Sequence, residues 1–117
     1  MATRIIRSSI TREELRVLAE EEFGDMVKAV ADIGRGLLAV GGELHSDQEA
    51  VLLEDGSRQG DLWGINLYPD GSAEDWIEFD SMINVRPSGG NRSRDVEDPA
   101  TREAIRRIVE ARIGSGS

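Results

Sequence analysis

The sequence predicts an α+β fold. It reads as a single two-layer domain over residues 1–113, a mainly antiparallel sheet with helices on one face, in the order β-α-β-β-α-β-β-α. Three observations lead there. Segments whose apolar residues alternate with period two are joined by short glycine-bearing turns, which favours antiparallel pairing. Segments of helical period carry their own start signals. The chain has 117 residues, 38% of them hydrophobic and none of them cysteine, which is one domain's worth and enough to form a core without disulfides.

Thr3 to Arg7 reads as a short first strand. The first helix spans Thr11 to Phe23. Thr11 caps it, Glu14 closes a capping box, Ile10 and Leu15 form the hydrophobic staple, and Gly24 stops it. Met26 to Ile33 switches to period two, with Val27, Ala29, Ala31 and Ile33 on one face. Gly34-Arg35-Gly36 then turns the chain into Leu37–Val40. Gly34 to Ala39 also fits the dinucleotide fingerprint G-x-G-x-x-A, but that motif needs a helix from its second glycine and Gly41-Gly42 would break one. The match is refused.

Ser46 followed by Glu49 reads as a second capping box, opening a helix to about Leu53. Asp61–Tyr68 alternates as a strand, and Glu74–Arg86 as a longer one with Ile77, Phe79, Ile83 and Val85 on one side. Pairing these two with Ile65 opposite Ile77 and Trp63 opposite Phe79 predicts a three- or five-residue connection. Trp76, Glu78, Asp80, Met82, Asn84 and Arg86 would then share the other face, exposed to solvent or a partner. The last helix opens at Asp98-Pro99 and runs to about Ile113. Gly114 to Ser117 reads as a flexible tail.

The formal charge is −9 and is unevenly placed. Residues 36–85 hold one arginine against eleven acids, whereas residues 86–117 hold seven arginines against five acids. An acidic middle repels the phosphate backbone, so nucleic acid is not expected as a partner. No apolar run is long enough for a membrane span and no secretory signal opens the chain, so a cytoplasmic protein is expected. An arginine-bearing tail beside an acidic centre also allows one copy to dock on another, and a homo-oligomer is expected.

Three sets of residues have chemical potential. His45, the one histidine, is the candidate catalytic group, because its ordinary pKa suits proton transfer near neutrality. Glu43 and Asp80 are weak candidates for holding a metal, and no cofactor is implied. Asp80, Asn84, Arg86, Asn91, Arg92 and Arg94 are the candidate ligand-binding set, since guanidinium forks and a glycine-rich loop suit a small anion or a protein partner. No G-K-[ST] or G-x-S-x-G occurs.

The runs Gly41-Gly42-Glu43-Leu44-His45, Leu52-Leu53-Glu54-Asp55-Gly56-Ser57, Asp61-Leu62-Trp63-Gly64-Ile65-Asn66, Phe79 to Pro87 and Gly90 to Arg94 resemble a family of short prokaryotic proteins known only as a domain of unknown function. The likeness covers about residues 4 to 112. It implies a small stand-alone cytosolic protein with no established activity, and it assigns no site residue. The expectation is therefore a non-enzymatic binding or interaction module. The alternative is a small hydrolase of a phosphorylated metabolite, in which His45 or a metal activates water and Arg86, Arg92 or Arg94 neutralises charge. That alternative requires His45 and the arginine loop to meet in one cleft. A third mode would have the acidic segment 36–85 mask a basic partner, with steep salt dependence.

Overall fold

Local signals at Thr11 build the first helix as read. In the computed structural model, which describes residues 3–114, α1 covers Arg12–Glu22, and the Thr11 hydroxyl accepts from Glu14 N–H at 3.0 Å. The Glu14 carboxylate accepts in return from Thr11 N–H at 3.1 Å. Ile10 and Leu15, the staple pair, are both buried. Helix α3, Pro99–Arg112, starts from Asp98, whose carboxylate accepts from Ala100 and Thr101 N–H. Gly114 N–H donates to Ile10 O, so the expected tail is held at its first residue; the rest of it lies outside the described residues.

The sheet has five strands in the order β1-β3-β2-β4-β5, every neighbour antiparallel. They are β1 Arg4–Ile6, β2 Val27–Asp32, β3 Leu37–Val40, β4 Leu62–Leu67 and β5 Ile77–Glu78. The β2–β3 turn closes on Asp32, whose Oδ1 accepts from Gly34 and Arg35 N–H, and Gly36 takes φ 68°. Val27, Ala29 and Ala31 lie in the main core with Leu15, Leu18, Ile105 and Val109, so α1 and α3 cover that face. The remaining helix, α2 (His45–Glu54), packs on β2 and β3 from the other side. There Leu52 meets Val30, Ala39 and Leu62. The α+β class and the element order stand, but the helices occupy both faces.

The long strand expected over 74–86 does not form. Only Ile77 and Glu78 pair with β4, with Leu67 opposite Ile77 and Asn66 opposite Glu78, and Arg86 bridges Asn91 instead. Tyr68 N–H donates to Trp76 O, leaving residues 69–75 as the connection. That is longer than the three or five residues expected, although its odd length keeps Ile77 on the predicted face. Trp76 is buried in the main core, not exposed, because Asp75 and Trp76 N–H both turn back to Ser72 O. The Arg12 guanidinium stacks 3.9 Å from the Trp76 ring.

Past Phe79 the chain leaves the sheet. Ser81 caps a 3₁₀ turn over Met82–Asn84, accepting from Ile83 N–H at 3.2 Å. Gly64 makes this close approach feasible, since a Cβ there would stand 2.5 Å from Ser81 Cβ. The six-residue solvent-facing strand surface is therefore absent: Glu78 alone stays on the strand, and the other members divide among core, loop and cleft.

Candidate functional site

Two glycines set the site in place. Gly41 and Gly42 take φ 93° and 101°, a region other residues rarely adopt, and they swing the chain from β3 into α2. Gly42 N–H donates to Glu22 at 2.6 Å. Buried Gln48 then ties α2 down, its amide donating to Lys28 O at 2.7 Å and Gly41 O at 2.8 Å. One turn earlier, His45 is pressed onto the sheet. The helix begins at His45 itself, with Leu44 as N-cap and no side-chain cap, so Ser46 is not the cap the sequence suggested.

His45 is 8% exposed, and its Nε2 lies 2.8 Å from Ile65 O. A carbonyl oxygen can only accept, so Nε2 carries the proton and Nδ1 the lone pair. Burial lowers the His45 pKa below its ordinary value. The bond to Ile65 opposes that effect, Lys28 and Arg94 add to it, and Asp80 works against it. The ring is thus neutral near pH 7, with its orientation fixed by the backbone.

A cavity of about 160 Å³ opens beside it, lined by Lys28, Leu44, His45, Ser46, Ser81, Met82, Ile83 and Arg94. Lys28 lies on the α2 face of β2, opposite Asn66. Its ammonium sits 5.3 Å from the centre of the Phe23 ring. Arg94 reaches the cavity from the loop before α3 and donates to Asp80 at 2.6 Å.

That loop is stitched to the sheet by the two asparagines. Asn84 Oδ1 accepts from Gly64 N–H at 2.8 Å, while its amide donates to Gly64 O and Arg94 O. Asn91 donates to Asn84 O, Ser93 O and Asp95 O and accepts from Glu97 N–H. Both side chains are filled by main chain, so their work is to hold the loop and place Arg94.

Arg86 is similarly engaged. It donates to Ile83 O at 3.1 Å and to Leu62 O, lies 4.6 Å over the Trp63 ring and faces Glu49 at 3.9 Å. It borders a neighbouring depression of about 400 Å³ that shares Met82 and Ile83 with the first. Arg92 and Glu43 are exposed and line neither. Among the described residues no three His, Asp or Glu side chains stand where they could hold a metal ion, and Asp80 instead partners Arg94.

So His45 and Arg94, far apart in sequence, meet in one cavity, and Asp80 stands behind Arg94. Sequence reading missed Lys28, whose signal was its being the one lysine in the chain. It also missed the part of Ser81, whose role comes from contact with Gly64. Another depression, about 340 Å³, is lined by Asp25, Tyr68, Asp70, Gly71 and Asp75; it presents carboxylates and no cation, and so would repel an anion.

A family model described as "Protein of unknown function (DUF5674)" matches residues 4–112. The chain belongs to this family. Neither the curated proteins nor the solved structures contain a match. Four of the five runs singled out in the sequence meet here: 41–45 delivers His45, 61–66 supplies Ile65 and Gly64, 79–87 forms the wall, and 90–94 brings Arg94, while 52–57 lies apart from the cavity. Among the described residues no helix is long and apolar enough to cross a membrane.

Proposed function

We propose that the protein is a non-enzymatic binding module whose cavity beside His45 takes a small anionic group. The observation that carries this is the meeting of Lys28 and Arg94 at the uncapped start of α2 in a chain of net charge −9. The first N–H groups of a helix have no intrahelical acceptor; in α2 these are His45 and Ser46 N–H, since Asp47 N–H already donates to Leu44 O and the Asp47 side chain is the one acid of the first turn. Two cations beside them give an anion both charge and directed donors. His45, more than nine-tenths buried and with its Nδ1 lone pair unengaged, forms the wall. Asp80 holds Arg94 in place, and Lys28, whose ammonium lies over the Phe23 ring, forms no ion pair among the described residues.

Thermal unfolding in increasing inorganic phosphate tests the proposal. Ligand binding to the folded state alone raises the melting temperature by mass action. The wild type should rise with phosphate, and Lys28→Met and Arg94→Gln should lose most of that rise while melting normally in its absence. Equal rises in all three proteins would refute the site.

The same convergence favours one second reading, a hydrolase of a phosphorylated metabolite with Nδ1 of His45 as the base. Turnover of a phosphate monoester that disappears in His45→Gln would establish it, and turnover that persists in this variant would eliminate it.

A further inference from the structure

We infer that the cavity receives the C-terminal residue of a partner's peptide chain, one that ends in an apolar side chain. This rests on the anion reading above and names the class of anion. Four observations lead there. The cavity holds about 160 Å³, well under the roughly 300–1,000 Å³ of sites that enclose a whole small molecule. It therefore accommodates a head group and leaves the body of the ligand outside.

Outside lie Leu44 and Met82, 52% and 65% exposed, the two most exposed large hydrophobic side chains among the described residues. Both also line the cavity. An unbranched methionine beside a leucine suits an aliphatic or aromatic side chain of variable shape.

The polar groups make a further demand. Lys28, Arg94 and the His45 and Ser46 N–H groups of α2 call for an anion, yet Nδ1 of His45 can only accept. The occupant must present a donor next to its negative group. Sulfate and a fully ionised phosphate monoester have none, and inorganic phosphate has a P–OH donor but no apolar part to lie on Leu44 and Met82. The last residue of a peptide does: its amide N–H stands one carbon from the carboxylate. In this pose the carboxylate faces Lys28 and Arg94, the N–H donates to Nδ1, and the side chain lies on Leu44 and Met82. The preceding residues have a path as well, since Met82 and Ile83 also wall the depression toward Arg86 and Gly60. Capture of a chain-end carboxylate by exposed backbone N–H groups is an established recognition mode.

The test is a set of chemical-shift titrations of the full chain with N-acetyl-leucine, N-acetyl-leucinamide, acetate and inorganic phosphate. N-acetyl-leucine should bind at least about tenfold more tightly than the amide, which lacks the charge, and than acetate, which lacks both donor and side chain. Lys28→Met should lose about tenfold, and Met82→Ser should weaken N-acetyl-leucine more than acetate. If phosphate or acetate binds as tightly as N-acetyl-leucine, the cavity is an anion site but not a chain-end site. If the amide binds as tightly as the acid, the chain-end inference is likewise overturned. Binding by none of the four overturns the anion reading itself.

Discussion

At Gly64 a missing side chain decides how the site is built. A Cβ there would meet Ser81 Cβ at 2.5 Å and Ile83 Cγ1 at 3.1 Å, and neither neighbour is a flexible tip. Gly64→Ala should therefore destabilise the protein by about 1–3 kcal/mol, the usual cost of overpacking a buried contact. Urea unfolding followed by tryptophan fluorescence would measure it, and an unchanged midpoint would contradict the packing described. His45 sets a second expectation at this scale. Its folded pKa lies below the ordinary 6.5, because burial outweighs the bond to Ile65. Between the folded value and 6.5 the unfolded chain therefore holds a proton that the folded chain lacks, and stability must fall as pH drops below 6.5. The loss should be smaller in His45→Gln. Denaturation midpoints at several pH values between 7.5 and 5 check the sign.

Among the elements, the loop before α3 depends on Asn84. Its side chain does for Gly64 what a neighbouring strand would do, answering both N–H and C=O. Asn84→Ala leaves these buried groups unpaired, at about 1–3 kcal/mol each, and should loosen the segment that carries Arg94. Faster amide exchange at Gly64 and in the Asn91–Asp95 loop would show it. Trp76 marks where strand reading failed. As a core residue under α1 it should cost about 3–5 kcal/mol when changed to alanine, whereas on an exposed strand face the change would be nearly neutral. What was legible in the sequence had local causes. Thr11 with Glu14, and Asp98 with Pro99, fix helix starts through residues within one turn, and the glycine turn at 34–36 fixes a hairpin. The alternation of Ile77, Phe79, Ile83 and Val85 misled because the break at Ser81 comes from partners distant in sequence, Gly64 beneath it and Arg94 O bonded to its N–H.

Across the whole molecule, an acidic stretch over residues 36–85 is followed by an arginine-bearing one over residues 86–117. Four of the seven arginines after residue 85 face carboxylates within the same chain: Arg94 with Asp80, Arg86 with Glu49, Arg102 with Asp95 and Arg107 with Glu103. The strongly acidic surface elsewhere discourages anions, so binding near Lys28 must compete with the protein's own field. His45 and Arg94 were both visible as candidates in the sequence. Their convergence was not, because it depends on Gln48 fastening α2 to β2 and on Asn84 and Asn91 fastening the arginine loop to β4. The most direct measurement is a ¹H–¹⁵N titration of the full chain with inorganic phosphate at low ionic strength. An anion bound in the cavity shifts Leu44–Asp47, Ser81–Ile83 and Arg94, with Nδ1 of His45 moving too, and the shifts saturate and weaken with added salt. Shifts scattered over the surface arginines with no saturation, or none at these residues, would contradict the account.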